Sequence, residues 1–295
     1  MLLNASGCLD ALTAPDVARS LDGFVTKTVT PLPRAGNEPV RIAETELGML
    51  NSIGLANPGI ARFIDEVLPQ LAQLGVPLWV SVGGFSADDY AQCVSRLDTR
   101  AEVVAIELNL SCPNVDAFEE PTAEIVAAAR AETAKPLYAK LSPAVPDVAA
   151  VAVTARDAGA DGLSLVNTIR GLALDDRTLQ PRLAHGAGGL SGPVLKPIAL
   201  AAVYACFAAT RMPIVGMGGV ECGRDVLDLL AAGASHVALG TVLFADPGAP
   251  DRIRAELVQE TSQRGFASAG NVTGAAHAAG ADAREPEPLQ DSVSV

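Results

Sequence analysis

The stretch "VVAIELNLSCPNV", residues 103–115, contains a strand that ends at a polar rim. Its first half alternates like a buried β-strand that is about to end, and Pro113 prevents the strand from continuing. Asn109, Cys112 and Asn114 therefore stand where the strand opens into a loop. Because barrel proteins carry their chemistry at the carboxyl ends of their strands, this stretch predicts a parallel-strand protein with a site at that end.

Further runs of the same kind alternate with helical stretches such as "PTAEIVAAARAET". The other strand-like runs are 23–29, 77–83, 136–142, 162–168, 213–219 and 236–244, and 47–54 is our candidate for an eighth strand. Eight βα units in roughly 250 residues are typical of a (β/α)8 TIM barrel, an α/β fold, and a doubly wound open sheet is the main alternative. We expect a single barrel domain over residues 1–280 and a frayed tail over residues 281–295.

Polar side chains and glycines recur at the carboxyl ends of these predicted strands. The residues at these positions are Lys27, Asn51, Ser81, Asn109, Cys112, Lys140, Asn167, Gly218 and Gly240. Since the carboxyl ends of barrel strands meet on one face, we expect these residues to converge there, which favours the barrel over the open sheet.

The composition disfavours several classes of partner and site. The formal charge of −13 argues against binding to nucleic acid or to an anionic membrane surface. The five cysteines show no CxxC spacing and the three histidines are isolated, so we expect reduced thiols, a cytoplasmic location and no protein-bound metal. The first residues do not resemble a signal peptide and no apolar run of 18 residues is uninterrupted, so no membrane span is expected.

Three glycine clusters lie late in the chain, namely "GGLSG" (188–192), "GMGGV" (216–220) and "LGT" (239–241). Glycines at such positions let backbone N–H groups approach a phosphate, and the loops after strands seven and eight form the usual phosphate site of a barrel. Ordinary tight turns are the alternative for any one cluster. The last two clusters together favour phosphate binding.

Two lysines lie inside apolar runs, Lys27 in "VTKTVT" and Lys140 in "YAKLSP". An unpaired ammonium group in such a run is costly, so each lysine is expected to have a specific partner. In a barrel mouth, the two side chains could hold the pyrimidine end of a flavin, a substrate, or both.

The amide residues Asn51, Asn109, Asn114 and Asn167 each carry donors and acceptors on one side chain, which suits a flat heterocycle. Any one of them alone is more typical of a turn or a helix cap. Cys112 lies between two of these amides and near the lysine-bearing strand ends, and positive neighbours would make its thiol useful as a base or nucleophile. The remaining cysteines lack such surroundings and are interpreted as structural; they are Cys8, Cys93, Cys206 and Cys222.

Nine short motifs occur in the order found in one enzyme family. They are "NASG" (4–7), "VTKTVT", "NSIGLANPG" (51–59), "NLSCPN" (109–114), "KLSP" (140–143), "VNT" (166–168), "GGLSGPVLKP" (188–197), "PIVGMGGV" (213–220) and "LGT". With this set, which covers about residues 4–245, the chain resembles the class 1 dihydroorotate dehydrogenases, which are flavin enzymes of pyrimidine biosynthesis.

The resemblance implies the oxidation of (S)-dihydroorotate to orotate, with Cys112 removing the C5 proton and the hydride of C6 passing to N5 of FMN. The residues that it implies for the substrate are Lys27, Asn51, Ser52, Ile53, Gly54, Leu55, Asn109, Asn167 and Thr168. The residues that it implies for FMN are Ser6, Lys27, Thr28, Ser81, Asn109, Lys140, Val166, Gly192, Gly218, Gly219, Gly240 and Thr241.

The resemblance also implies partners. Members of this class form homodimers, and "VNTIRG" and "GGLSGPVLKP" look like those that pair with an iron–sulfur flavoprotein and reduce NAD. Ser81 and the short segment after Cys112 depart from that pattern, so the electron acceptor, NAD or fumarate or another, stays open. Two alternatives remain: an FMN barrel acting on another reduced pyrimidine, similar to dihydropyrimidine dehydrogenase, and a non-catalytic phosphate-binding barrel.

Overall fold

Strands and helices alternate along the chain, as the apolar runs predict. The computed structural model describes residues 1–46, 48–110 and 121–278. The strands in these residues are β1 (Leu2–Asn4), β2 (Phe24–Val25), β3 (Ile42–Thr45), β4 (Gly48–Asn51), β5 (Leu78–Val82), β6 (Val103–Asn109), β7 (Leu137–Leu141), β8 (Gly162–Leu165), β9 (Ile169–Gly171), β10 (Gly188–Ser191), β11 (Ile214–Met217) and β12 (His236–Leu239).

The helices mostly follow the strands one by one. They are α1 (Pro15–Arg19), α2 (Ile60–Arg62), α3 (Leu68–Ala72), α4 (Ala87–Asp98), α5 (Thr122–Ala131), α6 (Val148–Asp157), α7 (Lys196–Thr210), α8 (Gly223–Ala232), α9 (Val242–Ala245) and α10 (Ala249–Gln263). A π-helical turn (Phe63–Val67) joins α2 to α3, and short 3-10 helices lie at Pro193–Leu195, Ala269–Val272 and Ala275–His277.

Eight parallel strands form the barrel, in the order β1-β12-β11-β8-β7-β6-β5-β2. The prediction of a (β/α)8 barrel is confirmed. Between β1 and β2, the buried side chain of Asn4 replaces the backbone ladder, because its Nδ2 donates to the Val25 carbonyl and its Oδ1 accepts from the Val25 N–H, both at 2.8 Å. A buried amide can thus satisfy both backbone groups of a strand that has no neighbour there.

Two apolar layers surround the strands. Inside the barrel lies a cluster that includes Leu3, Val25, Trp79 and Tyr138, and the Trp79 and Tyr138 rings are 4.6 Å apart between centroids. Outside it, side chains of the same strands pack against the helices in one large core. Because both faces of these strands are buried, they are apolar nearly throughout.

The eighth barrel strand is β1, and our expectation of a strand at 47–54 within the barrel is wrong. The three residues Leu2–Asn4 pair in parallel with β12, which is too short a run to show any periodicity in the sequence. The segment that we expected, of which Leu47 lies outside the described residues, forms β4 of a second sheet.

That second sheet is antiparallel, with the order β3-β4-β10-β9. It has its own small core of Ala43, Leu50 and Leu183. We call it the cap sheet. β3 and β4 follow β2, the second barrel strand, and β9 and β10 follow β8, the sixth. The cap sheet is therefore built from insertions at the carboxyl ends of both strands.

The continuous segment Pro193–Thr210, which includes α7, is long and apolar enough to cross a membrane by length and composition alone. Its residues Ala199, Val203 and Cys206 are buried in the core that covers the barrel strands. In this structure, the apolar side of α7 therefore packs against the barrel. The predicted tail over residues 281–295 lies outside the described residues.

Candidate active site

A cavity of about 230 Å³ opens at the carboxyl ends of the barrel strands. Its wall is formed by the segments that follow β1, β2, β6, β7, β8, β11 and β12, with the cap sheet on one side. Strand ends that are far apart in sequence meet here because the barrel closes.

Most of the predicted site residues line this cavity. They are Ser6, Lys27, Thr28, Asn51, Ile53, Gly54, Leu55, Asn109, Lys140, Val166, Asn167, Thr168, Gly192, Gly218, Gly219, Gly240 and Thr241. Cys112 and Asn114 lie outside the described residues.

Two predicted residues stand behind the wall and do not line the cavity. Ser52 is buried, and its hydroxyl accepts a hydrogen bond of 2.7 Å from Nδ2 of Asn37. Ser81 is buried too, and its hydroxyl lies 3.0 Å from the hydroxyl of Thr28. Ser81 thus supports Thr28 at the cavity surface, whereas Ser52 holds Asn37, which packs against the lining residue Gly54. A position at a strand end could not reveal this from the sequence.

The amide residues form a connected network on the barrel side of the cavity. Nδ2 of Asn109 donates to the Thr28 hydroxyl at 3.1 Å, and Oδ1 of Asn109 accepts from Nδ2 of Asn167 at 3.1 Å. Oδ1 of Asn167 in turn accepts from the Thr168 N–H at 2.9 Å. Because each amide is oriented by a neighbour, its donors and acceptors point in defined directions when a ligand arrives.

Asn51 faces this network from the cap sheet. Its Nδ2 donates to the Gly189 carbonyl of β10 at 3.2 Å. The cap sheet thus supplies an amide to the same cavity as the barrel strands.

Both predicted lysines reach the cavity. Nζ of Lys140, on β7, donates to the hydroxyl of Ser6 at 2.9 Å, although Lys140 is only 5% exposed. Lys27 lies against Gly7, where an added Cβ would come within 2.9 Å of the lysine Cδ. Gly7 therefore leaves room for the Lys27 side chain, and its φ of +79° suits glycine.

Glycines form a cradle at the other end of the cavity. Gly219 has a φ of +72°, and a Cβ there would lie 2.6 Å from the backbone nitrogen of Lys196. The 3-10 helix at Pro193–Leu195 begins directly after Gly192 and leads into α7, and the Thr241 hydroxyl donates to Ser191 at 2.8 Å. Exposed backbone and a helix beginning at one place are the features that bind phosphate.

Lys196 stands beside this cradle but is engaged elsewhere. Its Nζ binds Asp225 and lies 2.9 Å from Oδ2 of Asp228. Burial opposes the charge of Lys196, but the hydrogen bonds to both carboxylates raise its pKa above the usual 10.5. The cradle therefore depends on backbone groups and hydroxyls rather than on this lysine.

The cysteines divide into two groups. Burial raises the pKa of both Cys93 and Cys206 to about 12, which agrees with a structural role. Cys8, however, lines the cavity, and the charges of Lys140 and Lys27 act on a thiol whose pKa is raised by burial. The expectation that Cys8 lacks charged neighbours is wrong, because the loop after β1 turns it towards both lysines.

Two residues near the site were missed by the sequence reasoning. Glu107, on β6, is buried beside Lys140. Tyr90, on α4, is fully buried, and its hydroxyl donates to the Asn109 carbonyl at 2.6 Å. A charge inside the apolar run of β6 was a usable signal for Glu107, of the same kind as the two lysines, whereas Tyr90 resembles any core aromatic residue.

Comparison with known proteins places the chain in a family. The family model for dihydroorotate dehydrogenase matches residues 1–260. The chain belongs to the dihydroorotate dehydrogenase family. It is 43% identical over 267 residues to "Dihydroorotate dehydrogenase B (NAD(+)), catalytic subunit" of Desulforudis audaxviator, covering 88% of this chain and 87% of the relative. It is 44% identical over 262 residues to "Putative dihydroorotate dehydrogenase A (fumarate)" of Solibacter usitatus, covering 86% of each chain.

The crystal structure of dihydroorotate dehydrogenase from Eimeria tenella in complex with ferulenol has the same fold, with a TM-score of 0.80. The two chains are 23% identical, and the match covers 94% of this chain and 85% of the other.

Dihydroorotate dehydrogenases are flavin-dependent, and the residues of this cavity fit a flavin. The glycine cradle suits a phosphate, and the apolar side chains of Val166, Leu195 and Met217 suit the face of a ring system. The lysines and amides at the opposite end suit a ring edged with carbonyl and N–H groups.

Proposed function

We propose that this chain oxidises (S)-dihydroorotate to orotate in pyrimidine biosynthesis, with FMN as its cofactor. The observation that carries the proposal is the meeting of three elements in one cavity: the oriented amides, two lysines and the glycine cradle. A small anionic heterocycle and a phosphate-bearing flavin together require all three.

The residues divide by the ends of the cavity. Lys27, Asn51, Asn109, Asn167 and Thr168 would hold the pyrimidine ring and its carboxylate, together with the backbone of Ile53, Gly54 and Leu55. Ser6, Thr28, Lys140 and Val166 would hold the ring system of FMN. Its phosphate would lie in the cradle of Gly192, Gly218, Gly219, Gly240 and Thr241.

The reaction removes a proton from C5 and a hydride from C6. It therefore needs a base beside C5 and a two-electron acceptor beside C6. FMN, when bound, supplies the acceptor for the hydride. We propose that Cys112, which lies outside the described residues, takes the C5 proton. The amides and Lys27 would fix the ring so that both atoms leave from a defined geometry.

We propose an iron–sulfur flavoprotein as the partner that passes the electrons to NAD. Several relatives are named the catalytic subunit of an NAD-dependent enzyme, which supports a separate electron-transfer subunit. Another relative carries a name with fumarate as acceptor, so the acceptor must be measured.

We further propose that the chain forms a homodimer through one exposed apolar surface. This surface, the hairpin surface, consists of Val40, Ile42, Leu172, Leu174 and Leu179, all exposed. Its two parts are joined by a hydrogen bond of 3.0 Å from the Ala184 N–H to the Val40 carbonyl. Several exposed apolar side chains on linked segments of a folded chain are typical of an interface.

An anaerobic titration tests the proposed activity. The purified chain is examined by visible spectroscopy, dihydroorotate is added, and fumarate, NAD and a quinone are then offered in turn. We expect a yellow protein that bleaches with dihydroorotate but not with dihydrouracil, and the acceptor that restores the colour identifies the electron route. If only an artificial dye restores the colour, the result would support the need for a separate electron-transfer partner.

Two results would contradict the proposal at different points. Bound flavin that dihydroorotate never bleaches would refute the substrate, and bleaching by dihydrouracil instead would favour the related pyrimidine oxidation. A colourless chain that takes up no added FMN would refute the cofactor.

A further inference from the structure

Glu107 is a charged residue inside the barrel for which the proposed reaction has no use. Along β6, the side chains of Ala105, Glu107 and Asn109 point to the inside, since Ala105 belongs to the inner cluster and Asn109 lines the cavity. Glu107 is 1% exposed, and its Oε1 has no hydrogen-bond partner among the residues that the structure describes. Burial of a carboxylate oxygen without a hydrogen-bond partner costs free energy, so we expect this residue to have a function.

The charge that compensates Glu107 is Lys140. Its Nζ lies 3.8 Å from Oε1 of Glu107, and the two side chains are 6% and 2% exposed. The distance is too long for a good hydrogen bond, so the two groups interact through their charges. On its other side, Nζ donates to the Ser6 hydroxyl in the cavity wall. The ammonium group therefore lies between a carboxylate and the cavity.

The charge of Glu107 also acts on the cavity wall. Burial raises the pKa of Cys8, the charges of Lys140 and Lys27 lower it, and the charge of Glu107 raises it again. Cys8 itself lines the cavity. Two cations and one anion thus act together at this end of the site, where screening by water is weak.

We propose that Glu107 offsets part of the Lys140 charge and thereby lowers the midpoint potential of the flavin. This inference rests on the proposed flavin-dependent function. Reduction adds negative charge to a flavin, so a nearby ammonium group favours the reduced state and a nearby carboxylate disfavours it. The chain would then keep the flavin able to pass electrons on, rather than holding them. Glu107 is a tuning residue that acts through its charge and has no contact with the substrate.

Anaerobic redox titration of the flavin-loaded protein, with reference dyes, tests the proposal. We expect Glu107→Gln to make the midpoint potential more positive by about 30 mV or more, which is a tenfold change for a two-electron couple. Glu107→Asp keeps the charge and should leave the potential close to that of the wild type. Glu102→Gln removes the same charge at the opposite end of β6, roughly 16 Å away along the strand, and should leave it unchanged.

The outcomes separate this proposal from the proposed function. A yellow Glu107→Gln protein with an unchanged or more negative potential refutes the role of Glu107 alone, as does an equal shift in Glu107→Asp. A wild-type chain that binds no flavin refutes the proposed function instead.

A second measurement uses the wild type and does not depend on a variant that folds. Infrared difference spectra of the oxidised and reduced protein, with ¹³C-labelled glutamate, should contain a shifted carboxylate band. A spectrum without any labelled band would overturn the proposal.

Discussion

Tyr90 lies beneath the site and holds the end of β6 in place. Its phenol group reaches from α4 to the carbonyl of Asn109, the last residue of that strand. The side chain of the same asparagine is held by Thr28 and Asn167. One residue at the cavity surface is therefore fixed through both its backbone and its side chain, and the segment that carries Cys112 begins two residues later.

We expect Tyr90→Phe to lower the free energy of unfolding by about 1–3 kcal/mol, because a buried carbonyl loses its hydrogen bond. The melting temperature should fall by a few degrees, and flavin reduction by dihydroorotate should slow as Asn109 loses its orientation. Tyr204→Phe is a suitable control, since Tyr204 is 45% exposed on α7. Calorimetry and stopped-flow spectroscopy would measure both effects, and equal behaviour of the two variants would contradict this role.

Cys112→Ser tests the proposed base. A serine hydroxyl is a much weaker base than a thiolate, so we expect flavin to remain bound while its reduction by dihydroorotate slows by orders of magnitude at neutral pH. Cys222→Ser is the control, because Cys222 caps α8 and serine is well suited to that position. Reduction of the Cys112→Ser protein at the wild-type rate, in a single-turnover experiment, would exclude Cys112 as the base.

At the residue scale, the sequence predicted the cavity lining well but not what lies behind it. Lys27 and Lys140 could be recognised because a charge inside an apolar run needs a partner. Ser52 and Ser81 could not be separated from lining residues, because their orientation depends on Asn37 and Thr28, which are close only in the folded chain.

At the scale of elements, the beginning of α8 is fixed by one carboxylate. Asp225 accepts hydrogen bonds from the N–H groups of Glu221 and Cys222 at 2.8 and 3.0 Å, and it also binds Lys196. Burial alone would raise the pKa of Asp225, but these hydrogen bonds outweigh it and hold the pKa below the ordinary 3.8. The element beside the glycine cradle is thus positioned by an ionised group.

This arrangement predicts how stability depends on pH. The pKa of Asp225 is lower in the folded state than in the unfolded state. Its contribution to the free energy of unfolding is therefore fully present above pH 3.8 and is lost as the pH falls through the folded-state pKa. We expect Asp225→Asn to be less stable than the wild type at pH 7 and to lose less stability on acidification below pH 3.8. Urea unfolding at a series of pH values from about 2 to about 7, which lie on both sides of the ordinary carboxyl pKa, would measure this.

The matched control for Asp225→Asn is Asp251→Asn. Asp251 also lies in the first turn of a helix, α10, but its side chain is 77% exposed. If both variants show the same pH dependence as the wild type, Asp225 does not fix α8 in the way described.

Strands could be predicted from the sequence where they were long and apolar, but the prediction failed for short strands. The run that contains β6 shows seven strand residues in a row, so its assignment needed no tertiary information. β1 has three residues, and it becomes a strand only because β12 pairs with it and Asn4 bridges to β2. The cap sheet escaped prediction because its strands are brief and its central pair, β4 with β10, joins residues more than a hundred positions apart in sequence.

At the scale of the whole molecule, the hairpin surface predicts self-association. Leu179, which belongs to this surface, is 69% exposed, and we expect Leu179→Asp to convert a dimer into a monomer, because a desolvated carboxylate opposes burial of this surface. Val258→Asp, at a residue that is 66% exposed on α10, should leave the dimer intact. Light scattering during gel filtration would measure both masses. A wild type that is monomeric at micromolar concentration would contradict the dimer.

The cap sheet has a consequence for the order in which ligands bind. A single short strand, β10, touches Asn51 at Gly189 and leads directly into Gly192 of the cradle, while Ser191 is tied to Thr241. A phosphate that fixes this strand therefore fixes Asn51 as well. The free energy that is needed to order β10 then has to be supplied only once for the phosphate site and the Asn51 site together. Such thermodynamic coupling is reciprocal, so whatever factor FMN adds to the affinity for orotate, orotate adds to the affinity for FMN. Riboflavin lacks the phosphate, so its binding should not raise the affinity of the chain for orotate in this way.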